Sequence, residues 1–332
     1  QTRIEMRGEL DAGNVWKVHV RGSSFDGRNM FRTLLSAGKI NPPAAQLPAN
    51  APGLDVDAEI DRVIGFFDTT LDTLKLTASR RKNALVALDA HGQLNGDRPF
   101  AARLEQEAGG PRVLVAQATD AGAAFRLVGF YPSARGGEAS LNMNLDEGRD
   151  KQRVGNLYAQ NFVIVQDQVV KEVLSSSQAS ARSRNQPLLQ FDRMHVPFAI
   201  GGGRFIVKDA LINGPVLGAT MRGSIDFASE NISLSGTYVP LYGINGALGF
   251  LPILGELLVG RDGEGLFGIT FAVRGKTSKP DVLVNPVSLV APGFLRQIFE
   301  FNQPPQPRVP QRQPAPQAEN FSRSSSEPPT TQ

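Results

Sequence analysis

The 332-residue chain contains no cysteine. Disulfides, thiolate nucleophiles and cysteine-ligated metals are therefore excluded, and the absence fits an oxidising compartment where a stray thiol is a hazard. Histidine is scarce too. His19, His91 and His195 are far apart, each in a strand-like run with no second histidine beside it, so structural roles are expected and no metal site. Charge of one sign is also missing: 35 Lys and Arg against 32 Asp and Glu leave a formal net charge of +3. A dedicated nucleic-acid binder would show a basic stripe with interleaved aromatics, so no nucleic-acid partner is expected. There is no Gly-x-Ser-x-Gly elbow, and no P-loop lysine follows Gly201-Gly202-Gly203, which reads as a turn between strands. Ser23 and Ser24, in RGSSFDG, read as helix caps rather than nucleophiles. No catalytic residue, no cofactor and no enzymatic activity are expected. There is also no basic start followed by an apolar run, hence no visible signal peptide; the expectation is the later part of a longer protein, its anchor upstream.

What the chain has in abundance is alternation. In TRIEMRGEL, Ile4, Met6, Gly8 and Leu10 fall on one side and Arg3, Glu5, Arg7 and Glu9 on the other, the period of a strand with one apolar and one wet face. A turn at Asp11–Asn14 makes Val15–Arg21 its hairpin partner. In LDVDAEID, Leu54, Val56, Ala58 and Ile60 alternate with Asp55, Asp57, Glu59 and Asp61; the four acids read as a solvated face, with calcium a remote option. Strands are expected over 71–78, 84–94, 98–106, 113–118, 138–145 and 157–165, and from Phe191 onward. Asn95-Gly96 and Ser229-Glu230-Asn231 are hairpin turns. Short helices are expected over 26–37, over 121–130 with Thr119 and Asp120 as caps, and over 166–175. Residues 38–53 and 176–186 read as loops. MRGELDAG, from Met6, recurs as MRGSIDFA, from Met221, a hint of a repeated strand unit. The sum is a mainly β fold: an elongated, curled antiparallel sheet forming a groove, with few and short helices.

One segment breaks the alternation. YGINGALGFLPILGELLV, from Tyr242, is apolar except for Glu256. Its helical part, about residues 247–259, would span roughly 20 Å at 1.5 Å per residue, short of the ~30 Å hydrocarbon core. Pro252 and Glu256 are also unsuited to a simple span. It reads as an apolar helix that caps the end of the sheet or touches a membrane through Leu248, Phe250, Leu251, Ile253, Leu254, Leu257 and Leu258. A last helical region is expected from Asn285-Pro286 to near Phe301. The Pro-, Gln- and Ser-rich stretch from Gln303 to Gln332 reads as disordered.

Two runs resemble the AsmA-like family. Thr119–Leu145, TDAGAAFRLVGFYPSARGGEASLNMNL, resembles the C-terminal region of its large members. So does Gly236–Arg296, with an apolar helix between strands, a Gly-x-x-x-x-Pro strand end at Gly275–Pro280, then Asn285-Pro286 and a short helix. The resemblance covers roughly residues 110–302 and implies three parts: a groove segment (1–109), an AsmA-like C-terminal domain (110–302) and the tail (303–332). It further implies a bridge-like lipid-transfer protein of the bacterial periplasm, anchored in the inner membrane by an absent N-terminal helix. Such a protein carries phospholipid toward the outer membrane and supports its integrity. The alternative is an interaction module for outer-membrane protein assembly or secretion, with an envelope protein as partner. Residues expected to line the groove are Leu141, Met143, Leu145, Ile225, Phe227, Ile232, Leu234 and Tyr238.

Overall fold

The computed structural model describes residues 2–35, 51–82, 84–146, 152–165, 167, 169–171, 188–215, 217–240 and 267–289. Side chains at 239–240, 267–268 and 285–289 are not described. The N-terminal elements are β1 (Arg3–Leu10), β2 (Val15–Asp26), α1 (Arg28–Leu35), β3 (Gly53–Ile64), β4 (Thr70–Arg81), β5 (Ala84–Leu94) and β6 (Arg98–Gln106). Next come β7 (Arg112–Ala118), α2 (Ala121–Leu127), β8 (Ala134–Arg135), β9 (Glu138–Asn144) and β10 (Arg153–Val165). The remaining strands are β11 (Leu188–Gly201), β12 (Arg204–Asn213), β13 (Leu217–Asp226), β14 (Asn231–Pro240), β15 (Phe267–Lys276) and β16 (Lys279–Leu289).

All sixteen strands belong to one open sheet that runs in chain order from β1 to β16, with the two-residue β8 set off the path against β10. Most neighbouring strands pair antiparallel, and short turns join β1 to β2, β3 to β4, β5 to β6, β11 to β12, β12 to β13, β13 to β14 and β15 to β16. Asp11 accepts hydrogen bonds from the amides of Gly13 and Val15 at 2.9 Å each, closing the first turn. Asn95 and Gly96 turn with positive φ between β5 and β6, and Gly202 and Gly203 do so between β11 and β12. One pair departs from the expected all-antiparallel order: β2 and β3 run parallel. A parallel neighbour requires a crossover rather than a hairpin, and the stretch containing α1 supplies it.

Residues that leave the alternation are concentrated at bulges. Thr73 in β4, Asn161 in β10 and Asp209 in β12 have φ of 52°, 54° and 43°. In β10, Ala159 and Phe162 are buried while Gln160 and Asn161 between them are exposed. In β12, Val207 and Ala210 are buried around exposed Lys208 and Asp209. At Thr73 and Asp209 the register shifts, and an extra residue of this kind bends and twists its strand; at Asn161 the pairing with β11 keeps its register and only the side that is buried changes. Among the described residues the two helices are short, yet many side chains of the apolar face are buried.

Several expectations need correction. Ser23 and Ser24 lie inside β2 and do not cap α1; the Asp26 carboxylate accepts from the Arg28 amide instead, at 3.2 Å. Helix α2 stops at Leu127, earlier than Phe130, because Gly129 takes a φ of 76°. Its cap is as expected: Asp120 Oδ1 accepts from the Ala123 amide at 2.7 Å. Asn285-Pro286 does not start a helix. Asn285 pairs with Thr270, and both residues continue β16 to Leu289, since Pro is tolerated in a strand where no ladder donor is needed. Gly275 and Pro280 face each other across the β15–β16 hairpin, so that motif is a turn. The helix expected over about 247–259, the loop expected over 38–53 as far as residue 50, the loop at 176–186, most of the helix at 166–175, the stretch to Phe301 and the tail lie outside the described residues.

Candidate functional site

Directly opposed residues in neighbouring strands point to the same face. Following the register across the sheet therefore shows whether the apolar sides of the strands join. They do. Met6 opposes Val20, which opposes Ala58 and then Leu76, Ala90 and Ala102. Ala102 opposes Ala116, and the line passes through Leu141, Leu157 and Val196. Farther on, Phe205, Ile225, Ile232 and Gly275 form one row, and Leu234, Val273 and Val282 the next. One strip of Val, Leu, Ile, Phe, Ala and Gly thus crosses the whole sheet.

The expected lining residues lie on or beside this strip. Leu141 and Met143 project from β9, Ile225 from β13, and Ile232, Leu234 and Tyr238 from β14. Leu234 and Tyr238 are buried; the other four are half-buried. Phe227 sits in the β13–β14 turn and packs against the same cluster. Leu145 lies just past β9, its amide donating to the Arg112 carbonyl at 2.8 Å. Leu248, Phe250, Leu251, Ile253, Leu254, Leu257 and Leu258, named above for the cap helix, are outside the described residues.

What the alternation did not reveal is that α2 lies on the strip and divides its packing in two. Ala121 and Phe125 join a cluster built on β10–β15, with Phe162, Phe191, Phe198 and Phe205. Ala123 and Leu127 join a second cluster, with Phe31 of α1 and Ile60, Val63, Leu71 and Leu94. Neither glycine nor alanine on α2 is incidental: a Cβ on Gly122 would come 2.4 Å from Arg135 Cα. Past the helix, Phe130 reaches across to Phe205, ring centroids 5.5 Å apart, and also touches Phe125. Tyr131 holds this loop, its hydroxyl donating to Asp167 at 2.7 Å. Burial, then the Asp167 charge, push the Tyr131 pKa well above its usual range, so it stays a neutral donor. The signal for all this was the run AGAAF, whose small residues allow close approach on every side.

The opposite face is polar and largely ion-paired. Arg21 meets Asp57 at 2.6 Å, Arg81 meets Asp55 at 2.5 Å and Arg103 meets Glu105 at 2.6 Å. Asp55, Asp57 and Glu59 of LDVDAEID therefore face arginines on neighbouring strands as well as solvent. Arg81 holds the Asp55 carboxyl below its usual pKa. His19 lies 4.0 Å from Asp57 and His91 3.4 Å from Asp89, both exposed. His195 stacks on Tyr158 at 4.4 Å and meets Asn156 at 2.9 Å; partial burial lowers its pKa. Among the described residues no three His, Asp or Glu gather as a metal site requires. Nor is any helix among them long and apolar enough to cross a membrane.

The strip is not covered evenly. At the β1 end Met6 is 64% exposed, Leu10 50% and Trp16 42%, whereas Phe162 and Tyr238 are each 2% exposed. Such a face can take up apolar chains without directional contacts, since each buried methylene contributes about 0.8 kcal/mol. No protein-family model, no curated protein and no solved structure matches the chain.

Proposed function

We propose that the chain is a lipid-carrying module of the AsmA-like kind. It holds phospholipid acyl chains on the apolar strip and passes them along the curled sheet between the inner and outer membranes of a bacterial envelope. The observation that carries this reading is the apolar side shared by strands β1 to β15, which continues across the register shifts at β4–β5, β11–β12 and β12–β13 and is exposed at the β1 end. The motif resemblance over Thr119–Leu145 and Gly236–Arg296 points the same way. Headgroups stay at the wet margin, where transfer to apolar surroundings would be costly. Chains are taken up where Met6, Leu10 and Trp16 stand open, and move inward by exchanging contacts with the half-buried Ile225, Phe227 and Ile232. A role in outer-membrane integrity and a periplasmic location belong to the same proposal.

Native mass spectrometry of the purified chain tests it: bound phospholipid is expected. A double Phe227→Asp, Ile232→Asp variant should melt at a lower temperature, because both side chains pack against the main cluster, and below that transition, where circular dichroism shows it folded, it should lose transfer of a fluorescent phospholipid between vesicles. Absence of bound lipid, or undiminished transfer by the folded variant, would overturn the reading. A second reading, an interaction module for envelope proteins, draws on β1. This edge strand is exposed over all eight residues, and an exposed edge can add a strand from a partner. Co-purification of an envelope protein with no bound lipid would favour it.

A further inference from the structure

The outer face of β12–β15 holds a cleft of about 510 Å³ that the apolar strip does not use. Its geometry comes from the β12 bulge. Val207 opposes Gly223 and Ala210 opposes Met221, so Lys208 and Asp209 together stand opposite Arg222. On β14 Ser235 opposes Arg222, and Ser233 opposes Arg274 of β15. Lys208, Arg222 and Arg274 thus line one cleft together with Ser233 and Ser235, and Asp209 is the one carboxylate-bearing residue in that lining. Val207, Gly223 and Leu234 point to the apolar face and give the cleft main chain as its floor.

Other arginines on this face are taken by carboxylates, as Arg21, Arg81, Arg103 and Arg204 are. Lys208, Arg222 and Arg274 form no ion pair with any described residue, although Asp281 lies opposite Arg274 in register. The three cations outnumber the carboxylates beside them, Asp209 in the lining and Asp281 opposite Arg274, and an oxyanion would balance the excess positive charge. Two guanidinium forks can each bind phosphate through paired N–H groups, and the two serine hydroxyls supply further donors to its remaining oxygens. We infer that this cleft binds a phosphate group, free or as the headgroup of a phospholipid. The inference is independent of the acyl-chain reading, because the cleft and the strip lie on opposite faces.

Calorimetric titration of the full chain with inorganic phosphate, and flotation with phosphatidylcholine vesicles containing phosphatidic acid, test it. Saturable binding is expected in at least one arm. Arg222→Gln with Arg274→Gln should weaken it about tenfold or more, and Lys208→Gln alone about threefold. Arg81→Gln with Arg103→Gln removes the same charge from ion-paired positions and should change it less than about twofold. Phosphate binding without flotation identifies a soluble phosphate ligand; flotation that inorganic phosphate competes away identifies a headgroup; either supports the cleft. Binding in neither arm, or equal weakening by the two double variants, overturns it. All these side chains are exposed or half-exposed, so the variants should share the wild-type melting transition, and the single Lys208 variant keeps the test valid should the double variant unfold.

Discussion

β1 and β13 carry the same words, MRGELD and MRGSID, and put them to different use. In both, the methionine and the glycine point to the apolar face, and the final aspartate closes a hairpin. Asp11 accepts from Gly13 and Val15, Asp226 from Ala228 and Ser229. In both, backbone hydrogen bonds are the largest cause of a lowered carboxyl pKa. The repeat is thus a strand with its own turn cap. But Met6 is exposed and Met221 packs against the main cluster. A Cβ on Gly8 would meet nothing closer than 3.6 Å, whereas one on Gly223 would lie 2.1 Å from the Ser233 carbonyl oxygen, at a φ of 138°. The same local signal builds an open edge in one place and a tightly packed wall in the other.

That contrast should be largest in the core. Phe162→Ala, in the aromatic wall, should lower folding stability by about 3–5 kcal/mol. Met6→Ala at the open end should cost less than about 0.5 kcal/mol. Denaturant titration of both reads the difference, and equal costs would mean the β1 end is covered in solution. Gly223→Ala should cost about 1–3 kcal/mol from its strained backbone, while Gly8→Ala should be neutral or slightly stabilising. Similar melting shifts for the two would erase the distinction drawn between the strands. Asp120→Ala removes the cap of the helix that touches both clusters and should cost about 1 kcal/mol. Hydrogen exchange should then accelerate in β4 as well as β11; a change confined to one would show that α2 serves one half alone.

The smallest effect is electrostatic. Bonding to the Arg28 side chain lowers the Asp26 pKa from 3.8 to about 2. A depressed carboxyl favours the folded state above its ordinary pKa, and that contribution fades as pH falls from about 4 through about 2. Both side chains are solvent-exposed and screened, so Asp26→Asn should flatten the acid limb of a melting-temperature profile only slightly in this window. The same substitution at Asp226 should act in the same sense below the ordinary carboxyl pKa, because hydrogen bonds from the Ser229 and Ala228 amides also lower its carboxyl.

Alternation made most of the strands legible, along with their turns and the side of each that faces inward. Period two is local and survives without tertiary context. It also placed Leu141, Met143, Ile225, Ile232, Leu234 and Tyr238 on one face before any register was known. It could not show that β2 and β3 run parallel, because chain direction depends on a crossover rather than a turn. It missed that Asn285-Pro286 stays in a strand, where the pairing with β15 overrides the helix-starting habit of Asn-Pro. The candidate phosphate cleft was illegible as well: Lys208, Arg222 and Arg274 are separated along the chain and meet only through the register of β12–β15.

By itself, the sequence determined a one-sided apolar sheet without thiols, with the residues of the strip and the caps of its hairpins. Tertiary structure alone decided how far that strip is covered. Burial depends on what packs against a face, and the small residues of α2 join both clusters while the bulges at Thr73 and Asp209 bend their strands. Where strands bend and α2 lies down, phenylalanines pack to exclusion of water; at the β1 end nothing described lies over the strip, and the same alternation leaves Met6 and Trp16 in solvent.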